Sequence, residues 1–71
     1  MEFIPVSSSN VAAVGYDPES ATLGVRFNNG AEYHYFNVGT EVYQGLISAS
    51  SVGGFLDAFV KKAGYQYARV R

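Results

Sequence analysis

Apolar and polar residues alternate with a period of two through the first half of the chain and with a period near 3.6 through much of the second. In 22-TLGVRF-27, Leu23, Val25 and Phe27 fall on one face of an extended segment, and 11-VAAVGYD-17 ahead of it reads as another strand. The stretch 17-DPES-20 between them has proline at the second position of a turn. Asn28, Asn29 and Gly30 then reverse the chain into 31-AEYHYF-36. This pattern predicts three antiparallel strands joined as a meander. Upstream, 4-IPVSSSN-10 reads as an extended lead-in and a polar loop, because Pro5 disfavours helix at Ile4 and Ser9 or Asn10 can bond local backbone groups.

In the second half, Thr40 is the expected N-cap of a helix over 41-EVYQGLISAS-50, with Glu41 suited to the first turn. Val42 with Leu46 and Tyr43 with Ile47 form i,i+4 pairs along its apolar stripe. Gly45 weakens it by about 1 kcal/mol relative to alanine and marks a close approach to a neighbour. Ser50 or Ser51 caps a second helix carrying Val52, Phe55, Leu56, Phe59 and Val60, with Gly53 and Gly54 delaying its start. Lys61 and Lys62 fit its last turn and Gly64 its left-handed end. The terminal 65-YQYARVR-71 alternates again, as a short C-terminal extended strand or an ordered tail against the body. The expected fold class is α+β, a three-stranded antiparallel β-meander followed by two α-helices packed on one face (βββαα), in a single domain over residues 1–71.

The direction of Tyr33 and Tyr35 depends on the register of the central hairpin, since a slip of one residue exchanges the faces. A two-residue Asn29-Gly30 loop pairs Arg26 with Tyr33 and Gly24 with Tyr35, placing both rings on the outer face. A three-residue Asn28-Asn29-Gly30 loop pairs Val25 with Tyr33, Leu23 with Tyr35 and Arg26 with Glu32. The second register avoids burying an unpaired carboxylate under the helices and turns the tyrosines toward them.

Composition narrows the functional classes. The 71 residues include no cysteine, so no disulfide or thiolate metal site supports the fold, and eleven Phe and Tyr residues must supply much of the core. No run reaches the ~18 apolar residues of a membrane span, and MEFIPV lacks the features of a secretory signal, so the expectation is a cytoplasmic protein with no membrane association. Net charge is −1, but it is unevenly distributed. Residues 1–60 hold Arg26 against six acids, whereas the last eleven residues hold Lys61, Lys62, Arg69 and Arg71 and no acid.

The segments 5-PVSSSNVAAVGYDPE-19, 23-LGVRF-27, 33-YHYFNV-38 and 41-EVYQGLISA-49 together resemble the KTSC domain, whose central Tyr-x-Tyr is matched by Tyr33 and Tyr35. That family is named for a module at the C-terminus of some lysyl-tRNA synthetases and also occurs as small bacterial and phage proteins. The resemblance implies RNA binding. The chain departs from the family pattern at 52-VGGF-55, where similar domains tend to be basic, and at Leu56 and Asp57, where an aromatic followed by Asn is common. Both departures reduce positive charge.

No catalytic constellation is evident. His34 is the only histidine and Ser7, Ser8 and Ser9 have no sequence-evident base. Metal-ligand spacing and a phosphate loop are both missing, and Gly53-Gly54 is too little to mark an anion site, so neither cofactor nor metal is expected. The expectation is therefore a non-enzymatic binding module. For RNA, tRNA included, Lys61, Lys62, Arg69 and Arg71 would contact phosphates and Tyr65, Tyr67, His34 and Phe36 would stack bases. Tyr33 and Tyr35 join that site only in the two-residue-loop register. The alternative is a protein-interaction module or small regulator that docks another protein, or a second copy as a homodimer, through the open sheet face or its edge.

Overall fold

A computed structural model describes Met1–Arg71. The strands are β1 (Phe3–Pro5), β2 (Val11–Asp17), β3 (Thr22–Phe27), β4 (Glu32–Tyr35) and β5 (Tyr67–Arg69). Between β4 and β5 lie α1 (Thr40–Ser48), α2 (Val52–Phe59) and a 3₁₀ turn over Lys61–Ala63. All five strands form one antiparallel sheet in the order β1-β2-β3-β4-β5. The fold is α+β as expected, but the three-stranded meander is overturned by this five-stranded sheet. The lead-in pairs with β2, Ile4 opposite Val14, and the C-terminal segment pairs with β4, Tyr67 opposite Tyr35. β1 is three residues long, too short to display a period of two, while the alternation of 65-YQYARVR-71 marked an extended segment without showing that it pairs with β4. Pro5 is tolerated because β1 is an edge strand.

The central hairpin has the three-residue-loop register. Leu23 opposes Tyr35, Val25 opposes Tyr33, and Arg26 opposes Glu32. Phe27 donates its N–H to the Ala31 carbonyl (2.8 Å), and Gly30 has φ of 92°, which favours glycine. Leu23, Val25, Tyr33 and Tyr35 thus share the inner face with Val14 of β2. Leu46 of α1 and Val52 and Leu56 of α2 complete the buried core with Val11, Val38 and Val60.

The helix ends differ in detail from the sequence reading. Gly39, in extended conformation, is the N-cap of α1 and Thr40 is its first helical residue. With no side-chain cap, the Val42 N–H reaches back to the Gly39 carbonyl (3.0 Å) and tightens the first turn. Ser51 caps α2, its hydroxyl accepting from the Gly54 N–H (3.2 Å), and the helix begins at Val52 without delay at the glycines. Lys61 and Lys62 fall in the 3₁₀ turn rather than in α2, and Gly64 ends that turn at φ of 85°. At Gly45 a Cβ would stand 2.7 Å from the Phe55 ring, so the two helices approach closely there.

On the outer face, Gly15, Gly24, His34 and Ala68 form one cross-strand row and Ala13, Arg26 and Glu32 another. The N-terminal residues cover part of this face. A Cβ on Gly24 would lie 2.6 Å from both the Met1 sulfur and the Phe3 ring, and the Arg26 guanidinium stacks on Phe3 at 3.9 Å.

Candidate binding pocket

The inner face of β4 and β5 extends past the helices. Because Tyr33 pairs with Arg69 and Tyr35 with Tyr67, all four side chains emerge on the side that carries the core. Every residue of β5 is nevertheless exposed. A cavity of about 410 Å³ lies over this uncovered strip. Its aromatic walls are Phe27, Tyr33, Tyr35, Tyr65 and Tyr67. Lys61 and Arg69 bring two positive charges to it, and Asn29, Ala31 and Val60 complete the lining.

The aromatic rings support one another. Tyr33 meets Phe27 edge-on at 5.9 Å between centroids, and Tyr67 lies 5.9 Å from Tyr33 and 5.8 Å from Tyr35. These separations lie within the favourable range for aromatic pairs. Lys61 Nζ stands 5.1 Å over the Phe27 ring, so the 3₁₀ turn holds a cation at the cavity wall. The Tyr35 residue is only 5% exposed. Even so, no fully enclosed side-chain polar atom lacks a partner, so its unpaired hydroxyl is in touch with open space. Burial, followed by the neighbouring Tyr33 and Tyr67, pushes the Tyr35 phenol above its ordinary pKa. Like any phenol at neutral pH, it is protonated and able to donate. Tyr16 differs: its hydroxyl donates to the Val38 carbonyl, and its ring stacks on Tyr43 at 5.3 Å.

A second cavity of about 380 Å³ shares Phe27, Asn29 and Lys61 with the first and is otherwise lined by Ser9, Asn10 and Asn28. Much of its polar surface is already engaged. The Asn28 amide donates to the Ser9 carbonyl (3.0 Å), and Asn29 Oδ1 accepts from the Ala31 N–H (3.0 Å).

The residues expected to bind a ligand divide between two faces. Lys61, Arg69, Tyr65 and Tyr67 line the cavity together with Tyr33 and Tyr35. Lys62 instead pairs with Asp57 at 3.2 Å on the surface. Arg71 and His34 belong to the outer face, where each contacts Glu32, at 3.5 Å and 2.9 Å. Phe36 follows the last residue of β4, is partly exposed and does not reach the cavity. Tyr33 and Tyr35 meet Lys61 and Arg69 on the inner face in the three-residue-loop register, rather than on the outer face that the two-residue loop would have given them. Sequence reasoning missed Phe27 as a wall, although its alternation with Val25 placed it on the same face as Tyr33.

Glu32 anchors the other side of the same strand. Its carboxylate accepts from Arg26 Nε at 2.8 Å, meets His34 Nε2 at 2.9 Å and faces Arg71 Nη1 at 3.5 Å. The Arg26 hydrogen bond, aided by His34 and opposed by burial, holds the carboxyl below its usual pKa.

The sequence profile of the KTSC domain matches residues 7–65. The chain belongs to the KTSC domain family. A protein of Tsukamurella paurometabola is 46% identical over 57 residues, which are 80% of this chain and 85% of that one. A protein of Stutzerimonas stutzeri is 39% identical over 70 residues and 99% of both chains, so it matches this module from end to end. The crystal structure of a KTSC domain protein from Yersinia pestis matches with a TM-score of 0.90 at 32% identity, covering 99% of this chain and 97% of that one. The profile match stops before β5, whereas the structural match extends across it. The edge strand that walls the cavity therefore belongs to the fold shared with the Yersinia protein.

Proposed function

We propose that this KTSC domain is a non-enzymatic module that binds single-stranded RNA, tRNA included, in the tyrosine-lined cavity. The supporting observation is the meeting of four tyrosines with Lys61 and Arg69 around one open space. Stacking of a base on an aromatic ring contributes about 1–3 kcal/mol. Two cations at the rim add phosphate attraction that the net charge of −1 does not provide at long range. RNA binding implies a cytoplasmic setting, and no helix is long and apolar enough to cross a membrane.

An NMR titration of the isotopically labelled chain with short single-stranded RNAs and with tRNA, at low and near-physiological salt, tests the proposal. Salt-sensitive shifts are expected at Lys61 and Arg69 and in the rings of Tyr33, Tyr35, Tyr65 and Tyr67. An unchanged spectrum at both salt concentrations would remove the RNA reading.

A second reading, docking of another protein or a second copy, draws on a different surface. Phe55 and Phe59 pair at 4.6 Å between ring centroids, with Phe59 58% exposed and Ile47 41% exposed, leaving apolar area on the helices. The outer sheet face is a weaker candidate, because Met1 and Phe3 already lie on it. Light scattering of the free chain across a concentration series reports self-association directly.

A further inference from the structure

Resting on the RNA reading, we infer that the site engages no more than two nucleotides, with one base against the exposed Tyr67 ring and the adjoining phosphate at Lys61 and Arg69. Cavity size is the first argument. About 410 Å³ lies near the lower end of the range for small-molecule sites, about 300–1,000 Å³, and suits a nucleotide-sized occupant. Charge is the second. A groove that follows an extended strand needs cations along its length, and this chain does not supply them. Of its five basic residues, Lys62 is paired with Asp57, while Arg26 and Arg71 are held at Glu32 on the opposite face. The neighbouring cavity contains no cation beyond the shared Lys61.

The chemistry of the lining also favours a phosphate-bearing ligand. The hydroxyls of Tyr33, Tyr35, Tyr65 and Tyr67 make no hydrogen bond within the protein; the one tyrosine hydroxyl that does belongs to Tyr16. With Lys61 and Arg69 they form a site rich in donors and poor in fixed negative charge, since none of its ten lining residues is acidic. A phosphate offers the matching set of acceptors and an opposite charge. Tyr67 is 63% exposed, leaving its ring accessible to a base. Lys61 borders both cavities and can hold the phosphate that joins two adjacent nucleotides.

The test is calorimetric and NMR titration of the full chain with a nucleoside 5′-monophosphate, a dinucleotide, a tetranucleotide and a 12-mer of the same base. Affinities are compared after correction for the number of equivalent positions on each strand. Expected is a rise up to the dinucleotide followed by a plateau within about threefold. The logarithm of the binding constant should fall with log salt at a slope no steeper than about −1.4, the limit for two neutralised phosphates on a single strand. Lys61→Gln and Arg69→Gln should each weaken dinucleotide binding about three- to tenfold, and Lys62→Gln should leave it unchanged. A corrected affinity that keeps rising beyond tenfold from dinucleotide to 12-mer, or a steeper slope, overturns the short footprint while leaving RNA binding intact. Binding of the monophosphate without any oligonucleotide overturns the RNA reading and retains a nucleotide site. No binding by any of the four ligands overturns both.

Discussion

Glu32 shows how one residue connects the two faces of β4. Its backbone N–H donates to the Arg71 carbonyl at 3.1 Å, and its carbonyl accepts from the N–H groups of Val70 and Arg71 at 2.8 and 3.3 Å. Its side chain meets Arg26, His34 and Arg71 on the outer face. The next residue, Tyr33, enters the cavity on the inner face. Only part of this was legible in the sequence. The three-residue turn gave Arg26 opposite Glu32, but Arg71 lies thirty-nine positions away and reaches the carboxylate only because β5 joins the sheet. Because the Glu32 pKa is depressed in the folded protein, its ionised form adds stability above the unfolded carboxyl value of about 4.3. That contribution is lost as pH falls through the lower folded value. Glu32→Gln should therefore cost about 1 kcal/mol at pH 7, the solvent exposure of Arg26 limiting the loss. The melting-temperature gap between variant and parent should shrink progressively below about pH 4.3. A gap that stays constant down to pH 2 would show that the carboxylate's charge contributes no stability.

Among the elements, legibility followed length. The strands over Val11–Asp17 and Thr22–Phe27 and both helices were long enough to show their periods and β1 was not, whereas the alternation of 65-YQYARVR-71 showed an extended segment but not its pairing with β4. The cavity was hidden for a related reason. Five strands about 4.8 Å apart span about 19 Å, and helices of nine and eight residues extend only about 12–14 Å. The two short helices leave the strip carrying Tyr33, Tyr35 and Tyr67 open. Placement of the short α2 depends on how its start is fixed. Ser51 supplies its only side-chain cap, no acidic residue occupies its first turn, and Gly53 and Gly54 weaken that turn further. Ser51→Ala is expected to destabilise the domain by about 1 kcal/mol. The loss should appear in urea unfolding as a lower midpoint at an unchanged slope. Ser51→Asp, which retains a capping oxygen and suits the helix dipole, should restore most of it.

For the molecule as a whole, the charge asymmetry of the sequence becomes a fastening. The basic C-terminal segment returns to the acidic body, with Arg71 at Glu32, and its backbone closes the sheet at β4. It does so with little apolar burial, since each β5 residue is exposed, whereas Val14, Leu23 and Val25 are fully buried at the sheet centre. A strand held mainly by backbone bonds, the ring contacts of Tyr67 and one ion pair can open without unfolding the core. Opening β5 would remove Tyr67 and Arg69 from the cavity and leave Tyr35 on a bare edge, so an intact site requires this edge to be closed. Hydrogen exchange in the native state should therefore resolve two classes of amide. Glu32, Phe36, Val70 and Arg71, whose N–H groups bridge β4 and the C-terminal segment, should exchange through an opening of lower free energy than Gly24 and Val25 of the central strand β3. A ligand occupying the cavity binds only the closed form and should slow the first class selectively. Exchange of all these amides at one common rate, with and without ligand, would show instead that β5 opens only when the whole domain unfolds.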